Sequence, residues 1–359
     1  MIRNAVALLV VLAFAGSLHA DEIIYYVKKG TKREIASHGN VTVTAWSANK
    51  VDFRGADGKT GSVSALDVIS VNRNYGTMSN DLQRAIEKVG SDPDAAKADL
   101  QRLTGTGNEL DKEEALYWLA LVNVNDANAG GNVQPALTAL GNYLRAKKGG
   151  FFAREAYRLT ADLQRRTKKI ADARTTLGAM ISADPALARE GNQLLGELEY
   201  GEKRYAEAIR AFQNAKAQAT RDGNKNFEYL AVAWEGTALV ANNNAAGARQ
   251  LLEPIVSDEA FDDPIGFDDE IALAVAYPAL GDAYYATSQF EKAYDAYVKA
   301  GYYVWWVQGA NEGYCIGQAY LCARKLEGKG DVWKKRRDKL RNVLALGFPR
   351  ELQRVDKEK

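Results

Sequence analysis

The feature that most constrains this chain is a set of small residues held at fixed distances among large ones. In "ALGDAYYATSQFEKAYDAYVKA", residues 279–300, Gly281 follows Leu280, and Tyr277 lies four positions before it. Tyr284 comes three positions after Gly281, Ala293 twelve, Tyr297 sixteen and Ala300 nineteen. In "LLGELEYGEKRYAEAIRAFQNA", Leu195 and Gly196 are followed by Ala208, Phe212 and Ala215 at the same offsets. This spacing suits two helices joined by a short turn. The small residues let the helices approach, and the large ones fill the gaps between pairs.

Weaker copies surround Ala161 (with Ala173 and Leu177), Gly236 (with Ala248 and Leu252) and Gly317 (with Ile316 and Tyr320), and a degenerate one runs from Trp118 through Ala136 and Leu140. Anchors at 161, 196, 236, 281 and 317 stand 35, 40, 45 and 36 residues apart. The pattern resembles the tetratricopeptide repeat, with its period of about 34 residues, and the resemblance covers roughly residues 112–330. The two longest steps imply insertions, at "TRDGNKN" (220–226) and "SDEAFDDPIGFDD" (257–269), where breakers and charges read as loops. Pro278 is expected either to bend the first helix of its repeat or to mark that helix's start.

Before the repeats the text has another character. Arg3 precedes the apolar run "AVALLVVLAFA" (5–15), and "GSLHA" ends at Ala20, the grammar of a secretory signal cleaved after Ala20. The run is shorter than the roughly 20 residues a spanning helix needs, and no cysteine near the cleavage point offers a lipid acceptor. From Asp21 to Asn74 the chain reads as short strands, "EIIYYV", "VTVTAW", "KVDFR", "KTGSV" and "DVISV", with "SHGN" and "ADGK" as turns. That many strands in so short a stretch suit a small closed barrel, similar to the SH3-like or Sm-like barrels of some exported bacterial proteins. "GADGKTG" (55–61) lacks the first glycine of a phosphate loop, with Phe53 at that position, so Asp57-Gly58 is read as a hairpin turn. Ser79 is a good helix N-cap, and after it strand signals vanish.

The expectation is therefore an α+β multidomain chain, a small N-terminal β-barrel followed by an all-α tetratricopeptide-type solenoid. Its segments are a signal peptide (1–20), the barrel (21–76), a capping helical pair (77–111), the repeats (112–346) and a C-terminal tail (347–359). A chain of 359 residues that is 47% hydrophobic can form such cores.

Charge and motif content narrow the chemistry. Without Arg3, 46 basic residues balance 46 acidic ones, which points to no polyanionic partner and no nucleic acid. Once the signal is removed, His38 is the sole histidine, expected in a glycine-containing turn, so neither a histidine-based triad nor a two-histidine zinc site is expected. Cys315 and Cys322 lie about 10 Å apart along a helix and read as buried thiols, although a helix break at Gly317 and export leave a disulfide open. Neither a catalytic motif nor a cofactor fingerprint stands out, and the chain is read as a non-enzyme without cofactor or metal. Carboxylate pairs keep a glycan-processing alternative open, beside glycan binding and a structural spacer.

What the resemblance implies is a scaffold that binds protein or peptide partners along a concave groove of first-helix side chains. Carried over by position, the groove candidates are Arg158, Asp162 and Arg165; Gln193, Glu197 and Tyr200; Thr237 and Val240; Asp282 and Tyr285; and Asn311, Tyr314 and Gln318. They are polar at one end and aromatic at the other. The lysine and asparagine set that clamps a terminal carboxylate in this family is not found. "GYYVWW" (301–306) reads as helix-end packing or an interaction surface. Seven acids in "DEAFDDPIGFDDE" (258–270) and six bases in "KKRRDKLR" (334–341) read as solvated faces, or as a means of self-association. The protein is expected to be exported, periplasmic or secreted, with no stable membrane insertion after signal cleavage.

Overall fold

The computed structural model describes residues 21–29, 32–65, 67–73, 77–257, 267–304 and 312–358. Residues 1–20, read as a signal peptide, most of the acidic block, Trp305, Trp306 and Asn311 lie outside the described residues. The chain forms two compact units that divide between Leu194 and Leu195.

The first unit opens with an antiparallel sheet of β1 (Asp21–Lys29), β2 (Lys32–Trp46), β3 (Lys50–Gly55), β4 (Thr60–Ser64) and β5 (Val68–Asn72), in the order β4-β3-β2-β1-β5. The sheet is open, with β4 and β5 as its edges, so the expected barrel closure is not made. Alternation places Ile23, Val41, Val43, Val51, Phe53 and Val63 on one buried face. "SHGN" is no turn; β2 runs through it, and Asn40 (φ 56°) absorbs a bulge where Asp21 pairs with Val41 but Ile23 with His38. His38 therefore sits within a strand, its ring 5.0 Å from Tyr25 and 4.5 Å from Phe53. Asp57-Gly58 does form the β3–β4 turn, with Gly58 at φ 80°.

Six helices complete this unit: α1 (Asn80–Glu87), α2 (Pro93–Leu103), α3 (Glu109–Asn128), α4 (Val133–Ala146), α5 (Ala153–Arg166) and α6 (Ile170–Ala183). Ser79 caps α1 by accepting from the Leu82 amide at 3.3 Å. Helix α7 (Pro185–Gly201) carries the division between the units.

The second unit holds α8 (Tyr205–Arg221), α9 (Lys225–Ala241), α10 (Ala245–Val256), α11 (Phe267–Ala286), α12 (Phe290–Val304), α13 (Glu312–Lys325), α14 (Asp331–Gly347) and α15 (Pro349–Lys357). The glycine frame is physical. A Cβ added to Gly281 would come within 2.6 Å of the Tyr297 ring, one on Gly236 within 2.6 Å of Leu252, and one on Gly196 would strike the Phe212 ring. In each case the residue sixteen positions on lies over the glycine. Ala208, Ala215, Ala248, Ala293 and Ala300 are fully buried beside them.

The turns inside the pairs repeat as well. Lys168, Lys203, Asn243 and Ser288, each seven residues after its anchor, adopt φ of 64°, 60°, 61° and 59°. In each turn the next residue's amide reaches back five positions, as Asn244 does to Leu239 at 2.8 Å, the bond that closes a Schellman motif.

Three expectations about the helical part change as well. Helix α9 begins at Lys225, so "TRDGNKN" leaves only a three-residue turn, Asp222 to Asn224. Pro278 lies inside α11 and does not start it. The stretch 347–359, read as a tail, carries α15, because Leu352 and Val355 give it an apolar edge that packs with Tyr320 and Leu344.

Candidate functional site

In the first unit, α5 presents Arg158, Asp162 and Arg165 at spacings of four and three, which share one helix face. Arg158 and Arg165 are exposed and Asp162 half-buried. Arg158 Nε donates to Glu155 at 2.7 Å, and Arg165 to Asp162 at 2.7 Å. These polar side chains are bonded along their own helix, a cheap arrangement to exchange for a ligand because such pairs contribute only about 0.3–0.5 kcal/mol. Beside them Arg154 Nε stands 3.1 Å from Glu190 of α7, whose carboxyl is pushed upward by burial. Gln193 is buried, whereas Glu197 and Tyr200 are half-buried.

In the second unit, the Tyr200 ring packs against Tyr205 and Trp234 at 5.6 and 6.0 Å. The Thr237 hydroxyl donates to the Ala233 carbonyl at 3.0 Å, and Val240 packs against the core. Asp282 accepts from both Tyr297 and Tyr314 hydroxyls at 2.6 Å, joining α11, α12 and α13. Burial raises its carboxyl above the usual range, against the pull of the two tyrosines. Tyr285, Tyr314 and Gln318 are half-buried. Cys315 and Cys322 are free, buried thiols, each pushed up to about 12 by burial.

The sequence reading missed a buried polar junction between the sheet and α3 in the first unit. Arg73, 1% exposed, donates to Asp111 at 2.8 Å and to Glu114 at 2.7 Å. Its Nε meets the Thr77 hydroxyl at 2.9 Å, and Trp46 stacks 4.9 Å beneath its guanidinium. Asp21 accepts from the Val43 amide at 2.7 Å and from the Thr77 amide and hydroxyl, each at 2.9 Å. Glu113 accepts from Trp46 Nε1 at 3.1 Å and from the Tyr143 hydroxyl and Phe151 amide, each at 2.9 Å. An open pocket of about 370 Å³ lies alongside, lined by Thr44, Trp46, Asn108, Glu109, Glu113 and Lys147 among others. In the sequence these acids look like ordinary first-turn residues of a helix. The one signal was their density, Glu109, Asp111, Glu113 and Glu114 within six residues.

One guanidinium shared by two carboxylates does not offset burial at both, and Glu114 is pushed up to about 7. Between pH 4.5 and 7 the folded chain keeps a proton on Glu114 that the unfolded chain has released, so this group's contribution falls as pH rises through that window. The loss is on the order of 3 kcal/mol. Glu114→Gln is expected to flatten the pH dependence of the urea midpoint between pH 4.5 and 7; an unchanged slope assigns it to other groups.

Among the described residues, no group of three or more His, Cys, Asp or Glu side chains is placed to hold a metal ion, and no helix is long and apolar enough to cross a membrane.

No family model matches the sequence, and no curated protein matches it. Solved structures do. The apo form of RapI superposes with a TM-score of 0.50 at 12% identity, covering 75% of this chain and 76% of that one. PilW, described as a widely conserved type IV pilus biogenesis factor, matches at 0.49 and 17% identity, covering 69% of this chain and 99% of its own. A tetratricopeptide repeat protein from Parabacteroides merdae matches at 0.41 and 16%, covering 73% and 99%. At these identities the likeness is one of fold alone, and the elements described above, an N-terminal antiparallel sheet followed in sequence by paired helices with glycine-centred contacts, are compatible with the tetratricopeptide type.

Proposed function

We propose that this chain is an exported scaffold that holds protein or peptide partners along the exposed sides of its first helices, by shape and side-chain contact rather than by chemistry. The observation that supports this most is a division of labour among the helices. In three pairs glycines, alanines and the large residue sixteen positions on are consumed in packing, while on α5 Arg158 and Arg165 remain exposed and bond to Glu155 and Asp162 of their own helix. A face on rigid elements whose own ion pairs are weak enough to exchange for a partner's suits binding. The aromatic residues Tyr285 and Tyr314 supply the contacts that dominate such faces energetically. The SH3-like sheet, the signal peptide and self-association through the charge blocks belong to the same reading.

The test is crosslinked capture from cell-envelope extract by the mature protein, beside a chain carrying Arg165→Glu and one carrying Tyr285→Ala. A protein enriched by the parent and reduced about tenfold or more by either variant is expected, the loss typical of removing one strong contact. Equal recovery by all three removes the groove reading and turns attention to glycans or a spacer role.

A further inference from the structure

In three repeats the anchor glycine is covered by its own second helix, through Phe212, Leu252 and Tyr297. The last repeat departs from this. Trp333, sixteen positions after Gly317, turns to Tyr294, ring centroids 5.2 Å apart. Gly317 is covered instead by Glu351 of α15, and a Cβ on Gly313 would come within 2.7 Å of Phe348. Two glycines four residues apart thus leave a trough along α13, and a segment outside the repeat pattern fills it.

The apolar hold on that segment is small. Phe348 and Leu352 are half-buried, and Val355 is the one fully buried side chain of α15. The remainder is polar and partly exposed. Tyr320 donates to Asp356 at 3.1 Å, Arg341 pairs with Asp356 at 2.9 Å, Arg324 donates to the Val355 carbonyl at 3.2 Å, and Arg354 lies over the Tyr314 ring at 5.6 Å. A nine-residue helix is not stable alone in water, so α15 owes its form to the trough. Tyr285, Tyr314 and Gly317 thereby belong to one surface already seated with a short amphipathic helix.

We propose that α15 is a resident ligand of this trough, and that the scaffold's partner enters as a short helix of the same pattern, displacing it. The pattern is apolar at i, i+4 and i+7, as Phe348, Leu352 and Val355 are, with a carboxylate at i+3 over Gly317, as Glu351 is. The resident helix lowers apparent affinity by the fraction of chains in which it is docked, so binding is tuned by the stability of α15. This rests on the scaffold reading and names the class of partner.

The probe is a fluorescent peptide of residues 346–359, titrated into the full chain and into a full chain with Leu352→Asp and Val355→Asp, where the resident helix is released. The released chain is expected to bind at least roughly tenfold tighter than the parent, and Gly317→Leu added to it should abolish that gain. Equal affinity for parent and released chains, or indifference to Gly317→Leu, overturns the proposal. Should the double variant fail to fold by circular dichroism, Leu352→Ser replaces it, and amide exchange in the parent gives an independent reading. There, α15 must exchange faster than α13; equal protection also overturns the proposal. A captured partner that depends on Arg165 but does not compete with the peptide leaves the scaffold reading standing and removes this one.

Discussion

Arg73→Ala is expected to destabilise the first unit by about 3–5 kcal/mol, the cost of leaving buried carboxylates without their cation. Asp111 and Glu114 share that guanidinium at 2.8 and 2.7 Å, and both are nearly inaccessible to water. Thr77 loses a partner at its hydroxyl and carbonyl, while its amide and hydroxyl still reach Asp21. Urea unfolding followed by circular dichroism checks the magnitude. The charge-free triple variant Arg73→Met, Asp111→Asn, Glu114→Gln should recover a large part of the loss, since replacing a buried ion pair by neutral groups of similar volume is often close to neutral. If the triple variant is no more stable than the single one, packing of Arg73 on Trp46 carries the effect instead.

The second large effect lies in the other unit. Tyr297→Ala should cost about 3–5 kcal/mol, as expected for emptying a fully buried aromatic site. It uncovers Gly281 and removes one of the two donors to Asp282. Tyr297→Phe keeps the ring over Gly281 and loses only the donor, for about 1–3 kcal/mol. The difference between the two variants in urea midpoint separates helix packing from the hydrogen bond. Equal costs would mean that the Asp282 contact, and not the glycine fit, holds α11 to α12.

The two sites differ in how far they could be read from the chain. Gly281 and Tyr297 were legible because the spacing that brings them together is local: sixteen residues cross one turn, and helical geometry does the rest. The same holds for Gly196 with Phe212 and Gly236 with Leu252. Arg73 was not legible. Its partners lie 38 and 41 residues away, beyond α1 and α2, and no sequence periodicity links them to it. The helix faces of α9 and α11 also gave little sign of orientation, because each packs against helices on more than one side and so carries no single apolar stripe.

The candidate groove was legible only as positions. Arg158, Asp162 and Arg165 emerged on one exposed face because their spacing is helical, but their pairing along the helix was decided by rotamers and neighbours. Val240 illustrates the other outcome, since the structure packs it against the core of its unit. Tyr314 and Asp282 meet across two helices, a contact set by how α11 and α13 lie in space.

By itself, then, the sequence determined the helix pairs, their glycine-centred contacts and the change from strand to helix near Ser79, all consequences of local periodicity and capping. Tertiary structure alone decided that the sheet stays open, that Arg73 is shared by two acids and that α15 fills the trough on α13. Those outcomes depend on burial and on contacts between distant segments, where desolvation and packing outweigh any local preference.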